Sequence, residues 1–96
     1  MYVVVAQWLA KEGQADRVAE LVKEMIPHSR SEPGCRVYVA NRSVEDPRRF
    51  LLYEQYDNEA AFQEHVKSAA FQEIVLGKIL PLLESRQREV FQTVEP

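Results

Sequence analysis

The sequence predicts an α+β fold with the element order β-α-β-β-α-β and an antiparallel sheet. Four short stretches rich in β-branched and aromatic residues have the composition of strands. Between them, two longer stretches place apolar residues at steps of three and four, the spacing that one face of a helix requires. This order is the ferredoxin-like arrangement, in which helices cover one face of the sheet.

Length and composition indicate a single domain spanning residues 1–96. The 96 residues include 15 acidic and 12 basic side chains, for a net charge of −3, and 46% of all residues are hydrophobic. That balance is globular, and no repeat or low-complexity tract divides the chain. Because a weakly acidic protein does not attract a phosphate backbone, we predict no nucleic-acid partner.

Cysteine usage and hydropathy predict a cytoplasmic protein without a metal site or a membrane segment. The lone Cys35 permits neither an internal disulfide nor a cysteine-based zinc site, and no His, Cys and acidic residues have metal-ligand spacing. No apolar run approaches the ~20 residues that span a bilayer. The first ten residues lack the basic start and longer apolar core of a secretory signal.

The first half of the chain predicts a strand, a helix and a second strand. Tyr2–Leu9 is almost continuously apolar, which is typical of a strand covered on both faces. A helical stripe follows over Gln14–Ile26, and we expect Pro27 to end it because proline removes a backbone donor. After a polar loop, Cys35–Asn41 is the second strand.

The third strand, Arg49–Tyr56, follows a loop with Asp-Pro turn chemistry. Alternation places Phe50, Leu52, Glu54 and Tyr56 on one of its faces. A carboxylate within an apolar face is rare without a partner, so Glu54 is a candidate functional residue.

The second helical region is predicted in two pieces. Asn58–Lys67 is the first piece, with either Asp57 or Asn58 as its N-cap. Ser68 caps the second piece, which continues to Leu80 and meets a proline there. Arg86–Val94 then alternates as the last strand.

The bare face of such a sheet predicts self-association. Helices on one side leave the other side uncovered, and that patch is too large for a stable monomer. A chain this short also buries only a thin core. We therefore expect a homodimer that packs through the sheet face.

Three motifs, in their order and spacing, resemble the antibiotic biosynthesis monooxygenase family. The stretch Arg49–Phe71 is similar to the family's strand ending in aliphatic-Tyr-Glu-x-aromatic, its acid-capped helix and its His-x-x-Ser-x-His-Phe. Upstream, Glu32-Pro-Gly-Cys-Arg-Val-Tyr38 resembles a Glu-x-Gly-Cys-x-x-Tyr motif before the second strand. Lys11-Glu-Gly13 resembles the Pro-Gly that precedes the first helix. The resemblance covers essentially the whole chain.

The resemblance implies a dimeric α+β barrel with a pocket between sheet and helices. Family members include oxygenases that oxidise quinols or phenolic polyketides without metal, flavin or haem. It therefore predicts a cofactor-independent monooxygenase that uses dioxygen and no cofactor. The family's charged or histidine positions hold Val37, Val39 and Ala70 here. We expect this exchange of charge for apolar surface to favour a small aromatic or hydrophobic ligand.

His65 is the candidate catalytic base, because its ordinary pKa of about 6.5 allows proton transfer near neutral pH. The alternative is a structural histidine that satisfies a backbone carbonyl. For Glu54 the choice lies between orienting His65 or a ligand hydroxyl and pairing with an arginine across the subunit interface, which we favour.

Further substrate-binding candidates are polar strand residues and large aromatic residues. Tyr38 and Asn41 could donate hydrogen bonds to a substrate oxygen, although packing suits Tyr38 better. The candidate pocket walls are Trp8, Phe62, Phe71 and Phe91, although large aromatic residues at these spacings are more often part of the core.

Two other functions compete with the oxygenase. A small-molecule isomerase would use the same scaffold for proton transfer and would turn over without oxygen. A non-enzymatic dimeric ligand-binding or stress-associated protein is favoured by the loss of the second histidine at Ala70.

Overall fold

The computed structural model describes residues 1–95 and confirms the predicted order of elements. The four strands are β1 (Tyr2–Ala10), β2 (Cys35–Arg42), β3 (Arg49–Tyr56) and β4 (Leu83–Gln92). The helices are α1 (Ala15–Arg30) and α2 (Glu59–Lys67). A π-helix, Phe71–Ile79, and a 3-10 turn, Leu80–Leu82, connect α2 to β4.

The strands form one antiparallel sheet in the order β2-β3-β1-β4, as in a ferredoxin-like fold. Residues paired across neighbouring strands share a face. The register pairs Ala6 with Leu52 on β3 and with Arg88 on β4, and Tyr38 with Glu54. Even-numbered residues of the four strands therefore face the helices and odd-numbered residues face outward, except at Cys35 and Leu83, which register shifts place on the helix-covered face.

Two groups of buried side chains hold the helices against the sheet. The larger joins α1, β3 and the π-helix, and its most buried members include Leu21, Met25, Leu52 and Ile79. The smaller consists of Val4, Tyr56 and Phe62. Burying one large apolar side chain contributes about 1.5–3 kcal/mol, so the smaller group helps to hold α2 above β1 and β3.

The prediction that Pro27 ends the first helix is wrong. Helix α1 continues to Arg30, whose guanidinium donates two hydrogen bonds, of 3.0 and 3.2 Å, to the carbonyl oxygen of Tyr38. Ser29 in the same turn is completely buried. Pro27 lies on the exposed side of the helix, where a proline is tolerated more easily than on the buried side.

The last strand is also displaced from its predicted range of Arg86–Val94. It begins at Leu83, directly after the 3-10 turn that contains Pro81, and ends at Gln92. In contrast, β3 has the predicted ends. Within residues 1–95, no helix is long and apolar enough to cross a membrane.

Local contacts fix the start of α2 and the gap between its two pieces. Asn58 Oδ1 accepts the Ala61 amide at 2.9 Å, and Ser68 Oγ accepts the Phe71 amide at 3.1 Å, which confirms the predicted split. The loop between α1 and β2 lies directly against α2. A Cβ atom at Gly34 would be 2.5 Å from the Cβ of Ala61, so this close approach requires glycine.

Candidate functional site

A cavity of about 320 Å³ lies between the sheet and the helices that cover it. Strand β1 forms its floor, with the small side chains of Val4 and Ala6 lining the open space. Trp8, further along the same strand, lines one end of the cavity. Helix α2 and the π-helix form its roof. Ligand sites commonly have volumes of about 300–1,000 Å³, so this cavity has room for a small aromatic molecule.

His65 projects from α2 into a shell of aromatic rings. The centroids of Tyr38, Tyr56, Phe62 and Phe71 lie 5.7, 5.3, 6.2 and 5.1 Å from the centroid of the imidazole. The side chain is 1% exposed. These rings fix the plane of the imidazole and keep bulk water away from it.

Glu32, in the loop between α1 and β2, holds one nitrogen of the His65 ring. Its Oε1 lies 2.8 Å from His65 Nδ1. Burial lowers the pKa of His65, and the charge and hydrogen bond of Glu32 oppose that shift. A neutral ring with Nδ1–H donating to Glu32 has its lone pair on Nε2. Nε2 is therefore the atom available to accept a proton.

Glu54 lies beyond that nitrogen. Its Oε1 is 3.9 Å from His65 Nε2, too far for a direct hydrogen bond, and accepts the Tyr56 hydroxyl at 2.5 Å. Burial raises the pKa of Glu54 to about 7, although the Tyr56 hydrogen bond and the charge of Arg88 act against the rise. The carboxyl group is thus able to take up or release a proton near neutral pH.

The position of Glu54 disagrees with the ion pair favoured from the sequence. Its side chain is 6% exposed and lies on the face that the helices cover. An arginine on a partner packed against the outer sheet face would be on the opposite side of β3. The positive charge that lowers the pKa of Glu54 is that of Arg88 in the same chain.

Most of the other predicted site residues come together here. Tyr38, Trp8, Phe62 and Phe71 all line the cavity with His65 and Glu54. Burial, with the nearby charge of Glu54, raises the pKa of Tyr38, so its hydroxyl remains a hydrogen-bond donor.

Asn41 and Phe91 lie elsewhere. Asn41 is exposed on the outer face, and its amide donates to the carbonyl of Leu51 at 3.2 Å. Phe91, proposed as a pocket wall, is 49% exposed on the same outer face. The odd-numbered register of both residues directs them away from the helices.

The residues that suggested an apolar pocket are also outside it. Val37 and Val39 are odd-numbered residues of β2 and belong to the outer face, where Val39 is 42% exposed. Ala70 packs against the edge of the larger core group. The expectation that these positions remove charge from the pocket is therefore wrong.

The site also contains Glu32, Arg86 and Arg88, which were not predicted from the sequence. The arginines line the cavity from β4. Alternation along the last predicted strand already placed them on the same face as Val90, and that signal could have found them. Glu32 belongs to the Glu-x-Gly-Cys motif, but it lies in a loop, and the periodicity of helices and strands does not predict that it contacts His65.

Metal and thiol chemistry have little support in the described part of the chain. Within residues 1–95 no three His, Cys, Asp or Glu side chains are grouped to hold a metal ion. Glu32 and Glu54 are near different nitrogens of His65, so the three side chains do not converge on a point. Burial, with the charges of both glutamates, raises the pKa of Cys35 to about 11, which keeps its thiol protonated.

Comparisons with known proteins agree on the family. The sequence profile of the antibiotic biosynthesis monooxygenase family matches residues 1–75. A solved structure from Shewanella oneidensis is 34% identical, covers 94% of this chain and 87% of that chain, and has a TM-score of 0.88. No curated protein sequence matches the chain.

Two further solved structures have the same fold. A protein named antibiotic biosynthesis monooxygenase is 26% identical, covers 99% of this chain and 100% of that chain, and has a TM-score of 0.92. A Mycobacterium tuberculosis structure is 23% identical, covers 99% and 96% of the two chains, and has a TM-score of 0.89, which supports the fold alone. Since the family profile covers most of its length, the chain belongs to the antibiotic biosynthesis monooxygenase family.

Proposed function

We propose that the protein is a cofactor-independent monooxygenase that oxidises a small quinol or phenolic substrate with dioxygen. One observation carries the proposal. His65 is held by Glu32 through Nδ1, and its Nε2 faces Glu54 in an aromatic-walled cavity. A base oriented by a carboxylate is the arrangement that proton abstraction from a phenol requires.

The first step is proton transfer from the phenolic hydroxyl to His65 Nε2. The imidazolium that forms is stabilised by the carboxylate of Glu32, 2.8 Å from Nδ1. Tyr38 lines the cavity and its hydroxyl stays protonated, which supports a role as hydrogen-bond donor to the substrate oxygen. These interactions favour the electron-rich phenolate over the phenol.

Oxidation then follows from the reactivity of the phenolate. It passes one electron to dioxygen, and the radical pair recombines to form a carbon–oxygen bond. Loss of water from the resulting hydroperoxide gives a quinone, so that one phenol and one dioxygen become one quinone and one water. Glu54 in its protonated form is suited to supply the proton that the departing hydroxide needs.

Oxygen consumption with a panel of hydroquinones and naphthols tests the function. We expect His65→Ala to lower the rate by about 100-fold or more, the usual worth of a general base. His28→Ala is the matched control, since that histidine is exposed near the end of α1. If folded His65→Ala consumes oxygen as fast as the unmodified protein, the role of His65 is wrong; His65→Gln provides a second test should the alanine variant unfold.

An isomerase is the second candidate, because His65 and Glu54 form a pair of proton carriers separated by 3.9 Å. Such a pair is able to move a proton between two positions of one substrate. Turnover under strict anaerobiosis would favour the isomerase and would count against the oxygenase. Ligand binding without turnover in either atmosphere would favour a non-enzymatic binding protein.

We also propose a homodimer through the outer face of the sheet. Val39, Leu51 and Phe91 are 42%, 36% and 49% exposed there, on β2, β3 and β4. Apolar side chains that extend across a sheet face are typical of an interface between copies. The single domain spanning residues 1–96 and the cytoplasmic location stay predictions from the sequence.

A further inference from the structure

We infer that the substrate is an anionic aromatic molecule, a hydroxylated ring that also carries an acidic group, and that Arg86 and Arg88 bind that group. The inference rests on the proposed function, because it takes the substrate hydroxyl to meet His65. The sequence predicts a small aromatic or hydrophobic ligand, and this inference adds a charged group at one end of it.

The two arginines reach the cavity by the register of β4. Arg86 lies opposite Trp8 and Arg88 lies opposite Ala6, so both side chains are on the same face of the sheet as the helices, where they are exposed on the edge strand. Both line the cavity. Two guanidinium groups on one wall give that wall a positive charge, whereas the opposite wall holds carboxyl groups.

Neither cavity arginine has an acidic partner among residues 1–95. Four arginines elsewhere in the protein differ in this respect: an aspartate or glutamate pairs with each of Arg36, Arg42, Arg48 and Arg49. Of the other two, Arg17 is exposed on α1 outside the cavity, and Arg30 donates to the carbonyl oxygen of Tyr38. The guanidinium groups that line the cavity therefore have hydrogen-bond donors available for a ligand.

An aromatic ring also orients the guanidinium group of Arg88. Its guanidinium carbon lies 5.2 Å from the centroid of the Phe62 ring, a cation–π distance. Phe62 in turn stacks with His65 at 6.2 Å. A guanidinium held on an aromatic face presents a planar fork of N–H groups, which suits a carboxylate better than a point charge would.

The layout of the sheet sets the length of the ligand. Glu54 is on β3 and Arg88 is on β4, with β1 between them. Neighbouring strands are about 4.8 Å apart, so the carrier strands are about 10 Å apart. Val4 and Ala6 form the apolar floor between them. A ring system with a hydroxyl at one end and an acidic group at the other spans this distance.

Anaerobic titration calorimetry with two probes tests the inference. 6-Hydroxy-2-naphthoate and 2-naphthol share the ring system and the hydroxyl, and only the first carries a carboxylate. We expect the carboxylate probe to bind about 10-fold more tightly, because hydrogen bonds to charged groups are the stronger ones. The variant R86Q/R88Q should lose this preference while its affinity for 2-naphthol changes by less than about 2-fold.

Two further variants separate local recognition from overall charge. R86K/R88K keeps the positive charge and should retain a reduced preference for the carboxylate probe. K11Q/R17Q removes two positive charges from exposed positions outside the cavity and should leave the preference unchanged. Should R86Q/R88Q fail to fold, added salt must reduce the preference of the unmodified protein.

Equal affinities of the two probes for the unmodified protein would overturn the inference, as would an equal loss in K11Q/R17Q and R86Q/R88Q. Binding without oxygen makes this result independent of catalysis. A protein that prefers the carboxylate probe but consumes no oxygen with any phenol would contradict the proposed oxygenase and leave the anion site in place.

Discussion

Each face of the sheet carries side chains that an isolated domain would place on the other face. On the covered face, Glu54 is buried among apolar neighbours and beside His65. On the outer face, Leu51 and Phe91 are exposed. A buried carboxyl group and exposed apolar side chains each cost stability, so neither face is optimised for the chain alone. The covered face is suited to a ligand and the outer face to a second copy.

Substitutions of two neighbouring leucines on β3 are expected to show the largest difference between the two faces. Leu52 is 1% exposed. We expect Leu52→Ala to lower the unfolding free energy of the protein by about 2–5 kcal/mol, because the substitution leaves a cavity in the core. Leu51→Ala should lose less than about 1 kcal/mol in the same assay, urea unfolding at a protomer concentration low enough that the protein is monomeric. Equal losses would mean that both faces are equally packed.

A charge on the outer face should dissociate the proposed dimer. We expect Leu51→Lys to raise the dimer dissociation constant by about 100-fold, since a symmetric interface brings two like charges together. Light scattering across a concentration series measures this change. Gln63→Lys adds the same charge on the exposed side of α2 and should have no effect. A dimer that survives Leu51→Lys unchanged would place the interface elsewhere.

The buried carboxyl group predicts a pH dependence. Glu54 has a pKa of about 7 in the folded protein against 4.5 as a reference, so folding takes up a proton between these values. Its contribution to stability is complete below pH 4.5 and is lost as the pH rises to about 7.

Glu54→Gln removes this titration. The unfolding free energy of the unmodified protein, minus that of Glu54→Gln, should fall by about 1–3 kcal/mol between those two pH values. A pH series of urea denaturations measures the difference, and His65 is present in both proteins. A difference that stays constant or increases with pH would show that Glu54 is ionised in the folded state.

The smallest effect is expected at the residue that orients the base. Glu32→Gln keeps a hydrogen-bond acceptor for His65 Nδ1 but removes the negative charge that raises the pKa of His65. The pKa of His65, followed by NMR, should fall, and oxygen consumption should decrease by about 10-fold. A pKa that does not change would mean that Glu32 acts only as a packing contact.

The fold was predictable because its signals are local. The alternation of β3 gave both its ends and its buried face, and the caps at Asn58 and Ser68 gave the split of the second helical region. Local signals failed at Pro27, where contacts of Ser29 and Arg30 with the rest of the protein extend the helix past a residue that usually ends one.

The site was only partly predictable because it is assembled from distant elements. His65, Glu54 and the aromatic residues follow from motif and periodicity. The pairing of Glu32 with His65 depends on how a loop crosses a helix, 33 residues apart in sequence. Val37 and Val39 lie outside the predicted pocket because the register of β2 directs them to the outer face, and similarity to family positions does not give that register.

The contact of Gly34 with Ala61 has a consequence for how this site varies among related proteins. The backbone at Gly34 fixes how near the loop that carries Glu32 comes to the helix that carries His65. One added methyl group at position 34 would separate loop and helix and lengthen the Glu32–His65 hydrogen bond, with neither of those residues changed. The proton affinity of the base is therefore adjustable from a backbone position that has no chemistry of its own, and relatives with the same reacting groups are free to differ in the pH at which they work.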